Sequence, residues 1–305
     1  MILSVSRRTD IPCFYMDWLM NRLRAGYALV RNPYAKGQLT RVPTTPDVTD
    51  CMVFWTKDAR GLLPHLTELD QLGCRYYVQF TLTPYGRDLE RGLRPKSEIA
   101  ATFQTLSQRL GPDRVIWRYD PVLLTRTYTA AFHQRAFERL CGLLAPFTRQ
   151  VIISFVDDYA RMERHFSAIP EETAAALARS FSETAQKHGL SISACCENSA
   201  LRAFGIGQAH CIDRDLIARI CRGRLRIPEA KTPQRQNCGC IRAIDLGAYH
   251  TCRNGCVYCY ATDSRAVPCH DPEAPLLSGT ALASETIVPY PAKSDLDTQI
   301  GLFDL

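Results

Sequence analysis

Six short runs of apolar, β-branched or aromatic residues mark the first two thirds of the chain, and each ends in a polar cluster. The runs cover residues 2–6, 52–55, 76–82, 115–117, 151–156 and 190–194. They lead into Arg7, Arg8 and Asp10; Thr56, Lys57 and Asp58; Thr83 and Tyr85; Arg118, Tyr119 and Asp120; Asp157 and Asp158; and Cys195, Cys196 and Glu197. Runs without polar alternation suit strands buried on both faces of a parallel sheet. Helical periods fall between them. The first covers 15–25 and stops at Gly26, and the second covers 97–110 and stops at Gly111. A third runs from Thr129 as N-cap to about 144. A fourth takes Pro170 as its first helical position and stops at Gly189. A shorter one covers 212–221, with Asp213 and Asp215 near its start.

Strand–helix alternation over about 220 residues predicts an α/β fold with a parallel sheet. The polar clusters sit at the C-terminal ends of all six runs. That placement favours a partial or closed (β/α) TIM-like barrel, which gathers those ends around one mouth. An open doubly wound sheet concentrates them at a switch point, and no Gly-x-Gly-x-x-Gly turn follows any run. The expected organisation is a barrel core over 1–222, a loop with a cysteine segment over 223–262, and an irregular tail over 263–305.

Hydrophobic residues make up 46% of the 305 and charged residues 22%, so the chain is not a disordered one. No apolar run nears the roughly 20 residues that span a bilayer. The first ten residues lack the apolar core of a signal peptide, and a soluble cytoplasmic protein with no membrane partner is expected. The net charge is +6, but the arginines are scattered. An Arg-rich solvated surface accounts for that charge better than a nucleic-acid partner does.

The 14 cysteines are the outlier, and most fall between Cys195 and Cys269. Clustered cysteines in a reducing compartment point to metal or redox chemistry. The decisive stretch is Cys252-x3-Cys256-x2-Cys259, with Tyr258 just before the third thiol. Three thiolates on one loop can each take a different iron of a 4Fe–4S cluster. The fourth iron is then left open to a ligand from outside the protein. Gly255 permits the tight bend this needs. Zinc is the bland alternative, with His250, Cys269 or His270 as fourth ligand, but the spacing is not a common zinc pattern. A second set, Cys195, Cys211, Cys238 and Cys240, suits an auxiliary 4Fe–4S cluster; small buried residues are the alternative for Cys195, Cys196 and Cys211. Cys13, Cys51, Cys74, Cys141 and Cys221 read as packing residues.

The three-cysteine stretch resembles the signature of the radical S-adenosylmethionine (SAM) superfamily. The resemblance implies that the open iron binds the amino and carboxylate groups of SAM. It also implies reductive cleavage to a 5′-deoxyadenosyl radical acting on a small-molecule substrate, with an electron donor such as a flavodoxin or ferredoxin. Ser6-Arg-Arg-Thr-Asp10-Ile-Pro, Phe54-Trp-Thr-Lys57, Phe80-Thr-Leu-Thr-Pro-Tyr85 and Trp117-Arg-Tyr-Asp120-Pro, with the cysteine segment, resemble the bacterial family named Domain of Unknown Function 1848. The family pattern, a cysteine two residues before Glu197, selects Cys195 over Cys196.

Two features depart from the superfamily. The cysteine loop follows the last run rather than the first, which a circular permutation with 241–246 as the preceding strand would reconcile. No Gly-Gly-Glu stretch follows a strand. Among the strand-end residues, Arg8, Lys57, Asp120 and Glu197 are the candidate catalytic groups. Arg7, Asp10, Arg118 and Asp157 are the candidate cofactor-binding ones. Arginine and lysine suit carboxylate or phosphate, and Asp120 and Glu197 suit ribose hydroxyls. A mutual ion-pair network is the structural alternative. The competing functions are a non-catalytic 4Fe–4S electron carrier or redox sensor, a radical nucleic-acid repair lyase, and a zinc-stabilised binding module.

Overall fold

In the computed structural model, eight strands form one parallel sheet. The structure describes residues 1–32, 35, 37–157, 159, 162–197, 199–227, 238–262 and 269–297. Asp158 and the stretches 228–237, 263–268 and 298–305, where part of the loop and tail was expected, lie outside the described residues. The strands are β1 (Ile2–Val5), β2 (Cys51–Thr56), β3 (Tyr76–Thr81), β4 (Val115–Val122), β5 (Gln150–Phe155), β6 (Ser191–Ala194), β7 (Gly207–Gln208) and β8 (Ile244–Asp245). All six apolar runs form strands; β8 lies within the 241–246 stretch expected as the strand before the cysteine loop, and β7 adds an eighth. The spatial order is β8-β1-β2-β3-β4-β5-β6-β7. From β1 onward it follows the sequence with no reversal, whereas a doubly wound sheet reverses at its switch point. The last strand in the chain is first in space, with Leu3 opposite Ile244.

Strand alternation divides the side chains between two faces. Leu3, Val5, Met52, Phe54, Val78, Phe80, Trp117 and Ile153 join the main core on one face. The helices α1 (Met16–Ala25), α2 (Lys96–Leu110), α3 (Ala130–Leu144) and α4 (Glu171–Lys187) contribute to that core. Ile2, Cys51, Val53, Tyr77, Ile116 and Ile152 form a second cluster on the other face. There Leu216 and Ile217 of α5 (Arg214–Cys221) join them. On that face the side chains turn polar toward the C-terminal ends. Tyr77 is followed by Gln79, Ile116 by Arg118 and Ile152 by Ser154, all buried.

Local signals set the helix ends. α1 stops at Gly26, at φ 77°. Thr129 caps α3 by accepting from the Phe132 N–H, and Asp213 caps α5 by accepting from Asp215 and Leu216. Pro170 stands one residue earlier than expected: it is the extended N-cap of α4, and its carbonyl accepts from Ala174. The tail also departs from expectation. Thr286–Pro289 pairs in parallel with Gln38–Pro43, itself antiparallel to Tyr27–Arg31. Leu296–Asp297 pairs with Arg224–Leu225. The two tail strands are short, Thr286–Pro289 exposed and Leu296–Asp297 half-buried, so no hydrophobic alternation marks them, and their partners lie far away in sequence. Among the described residues, no helix is long and apolar enough to cross a membrane.

Candidate functional site

The cysteine loop leaves the C-terminal end of β8 and crosses to the segment after β3. Three backbone hydrogen bonds hold it there. Arg91 donates to Gly255 at 3.3 Å, Gly92 to Asn254 at 2.9 Å, and Val257 to Leu89 at 3.0 Å. The two segments approach so closely that a Cβ on Gly92 would stand 2.3 Å from the Arg253 carbonyl oxygen. Gly255 takes φ +63°, the left-handed bend expected of it. Cys252, Cys256 and Cys259 are half-buried along this loop. Burial raises the Cys252 thiol well above its ordinary value. It pushes Cys256 up to about 12 against the opposing charge of Lys57.

The strand-end residues meet this loop. Asp10 is buried and accepts from the Cys13 N–H at 3.0 Å, the Lys57 N–H at 2.8 Å and the Asn254 side chain at 2.9 Å. Burial raises its carboxyl to about 6. Lys57 Nζ lies 2.8 Å from Glu90 Oε1 and 2.9 Å from Tyr258 Oη. Glu90 also receives Thr83, Lys96 and Tyr258. Burial works against its charge, but Lys57 and Lys96 hold it down to about 2. The aromatic of the cysteine motif is thus bound to the strand-end lysine through one buried carboxylate. Glu90, Lys96 and Asn254 escape sequence reading because they lie at no strand end.

A second group sits beside it. Arg118 is ion-paired with Asp120, which also receives Ser154. The Trp55 ring has Arg7 5.8 Å and Arg118 5.3 Å from its centroid. Asp245, also missed in the sequence, accepts from Ser4, Ser6 and the Arg7 and Gly247 N–H groups. Arg8 lies over Tyr249, 5.2 Å from the ring centroid, and has no carboxylate partner among the described residues. Glu197 accepts from the Phe155 N–H at 2.7 Å, and burial raises it to about 7. Asp157 is exposed and receives the Tyr159 hydroxyl at 3.1 Å. The ion-pair reading therefore holds for Lys57, Arg118 and Arg7, whose Nε lies 3.8 Å from Asp245 Oδ2.

The second cysteine set also comes together. Cys211 Sγ lies 3.5 Å from Cys195 Sγ, and Cys195 Sγ lies 3.7 Å from Cys196 Sγ. As the side chains stand, no group of three or more His, Cys, Asp or Glu among the described residues is arranged to hold a metal ion. Of the side chains considered as a fourth zinc ligand, Cys269 is exposed and the His270 ring nitrogen is 2.8 Å from the Leu277 carbonyl. Cys51, Cys141 and Cys221 are buried, and Cys13 and Cys74 half-buried.

A profile of the family described as Domain of unknown function (DUF1848) matches residues 2–261. The chain belongs to that family. The match spans the whole parallel sheet and ends just past the cysteine loop, so the sheet and that loop fall within the family's extent. Neither a curated protein nor a solved structure gives a match.

Proposed function

We propose that this DUF1848 protein is a radical SAM-type iron–sulfur enzyme whose sheet curves into a partial barrel. One observation carries the reading. The three-thiol loop follows a strand that lies beside β1, and it lands among Asp10, Lys57 and Glu90. The permuted order of the chain is thus compatible with a cysteine loop at the strand ends. Cys252, Cys256 and Cys259 would hold three irons of a 4Fe–4S cluster. When bound, that cluster and SAM would supply the 5′-deoxyadenosyl radical by reductive cleavage, with the electron from a flavodoxin or ferredoxin.

The chain's own residues fit such guests. Thr9 Oγ1, Trp55 Nε1 and Asn254 Oδ1 are buried without a hydrogen-bond partner among the described residues, although buried polar atoms ordinarily have one. Lys57, Arg118 and Arg7 are already in ion pairs, so among the described strand-end cations Arg8 is the one left to receive a carboxylate. Trp55, beside the Arg7 and Arg118 guanidinium groups, offers its indole N–H to a small-molecule substrate. Asp120 and Glu197 supply carboxylate acceptors at the same strand ends.

The test is anaerobic reconstitution, with iron and sulfide counts and electron paramagnetic resonance of the reduced protein. The expected result is an iron–sulfur signal that shifts on adding SAM and disappears when Cys252, Cys256 and Cys259 are replaced by Ser. A cluster indifferent to SAM would instead make the protein an electron carrier or redox sensor. Absence of any cluster would overturn the reading.

A further inference from the structure

We infer that Cys195, Cys196, Cys211, Cys238 and Cys240 form a second centre, in which four thiolates hold one tetrahedral metal ion, ordinarily zinc. This inference rests on its own cluster of sulfurs and not on the radical reading. The five cysteines come from three separate places: the end of β6, the segment after β7, and the loop before β8. Cys211 touches Cys195 at 3.5 Å and Cys195 touches Cys196 at 3.7 Å. Cys211 and Cys240 are buried in one cluster, and Cys195 and Cys238 pack against it. The five thiols therefore gather at one place.

Simple packing explains a buried thiol but not the surroundings of these. Arg118 Nη1 donates to Cys211 Sγ at 2.9 Å, and the Ile212 N–H to Cys240 Sγ at 3.3 Å. A guanidinium and an amide aimed at sulfur suit thiolates, and such donors commonly support thiolate ligands from outside the coordination shell. The Cys211 carbonyl is fixed by Tyr77 Oη at 2.7 Å and Gln79 Nε2 at 2.9 Å. Cys196 takes φ +60°, a left-handed backbone uncommon for a residue with a side chain.

The sulfur separations choose the ion. Zinc–sulfur bonds of about 2.3 Å in a tetrahedron put ligand sulfurs about 3.8 Å apart. The two distances above stand close to that. Sulfurs on different corners of a 4Fe–4S cube are separated by two irons, roughly 6 Å, so a cube would have to spread these thiols apart. Gathering four of the five around an ion asks for side-chain rotation and release of thiol protons to water. The ion would tie the ends of β6 and β7 to the loop that leads into β8, and hence to the first cysteine loop.

The experiment uses the full chain with Cys252, Cys256 and Cys259 replaced by Ser, purified anaerobically and assayed for metals, sulfide and reactive thiols. About one zinc, or one iron without sulfide, is expected per chain. Cobalt in its place should give the visible absorption of a tetrahedral thiolate site. Adding Cys211→Ser and Cys240→Ser should abolish that ion. Four irons with matching sulfide would overturn the single-ion assignment. No metal, with all five thiols freely reactive, would overturn the centre itself. Should the triple variant fail to fold, the Cys211→Ser/Cys240→Ser variant of the otherwise intact chain should lose one ion. An unchanged metal content there would also overturn it. Failure of iron to enter the first loop leaves each of these outcomes readable.

Discussion

Asp10 shows how one residue serves both fold and site. Its carboxylate caps the short helix Ile11–Phe14 through Cys13 and ties Lys57 and Asn254 to the end of β1. Burial outweighs those hydrogen bonds and raises its carboxyl from 3.8 to about 6. A raised pKa favours the protonated carboxyl in the folded state. Its stabilising contribution is full below about pH 4 and is lost as pH rises through about 6. With each unit worth about 1.4 kcal/mol, the swing is of order 3 kcal/mol. Asp10→Asn should therefore flatten the pH dependence of stability across this window. Urea midpoints of both chains at pH 4, 5 and 6 measure it. Parallel curves would count against this role. Lys57 was legible from its position after the second apolar run. Its partner Glu90 was not, because that pairing depends on the course of the loop after β3.

At the scale of elements, the contact between the cysteine loop and residues 89–92 depends on absent side-chain volume. Gly92→Ala places a Cβ 2.3 Å from a backbone oxygen that cannot rotate away. The expected cost is about 1–3 kcal/mol, as for other overpacked sites. The displaced loop should also hold iron less well in reconstitution. Gly207→Ala is the control, since nothing lies within 4 Å of its added Cβ. Thermal unfolding and iron content of the two variants decide the matter; equal behaviour would refute the clamp. Helix boundaries were legible because Gly26, Thr129 and Asp213 act through neighbouring backbone groups. The strand Thr286–Pro289 was not, since its pairing partner is the distant Gln38–Pro43.

Across the whole molecule, the segment beyond the family match serves the core. The Ala274 carbonyl accepts from Trp18 Nε1 at 2.9 Å, and the Glu273 carbonyl from Arg22 at 2.9 Å. Ser294 and the Asp295 N–H donate to the buried Asp50. A chain ending at Thr262 would retain the family's extent yet take these partners from Trp18 and Arg22 and leave Asp50 to the Met1 ammonium. Each lost partner costs on the order of 1 kcal/mol or more. Calorimetry should show Tm lowered by at least about 5 °C. An unchanged Tm would mean that the tail merely rests on the surface.

The sequence by itself determined the parallel α/β alternation, the polar ends of the strands and the three-thiol loop. Each of these is written in neighbouring residues through periodicity, capping or spacing. Tertiary structure alone decided that Glu90 closes on Lys57 and Tyr258, that Arg118 reaches Cys211, and that Thr286–Pro289 joins Gln38–Pro43. Those contacts join segments far apart in the chain. They depend on where the sheet carries each loop, which no local pattern of residues encodes.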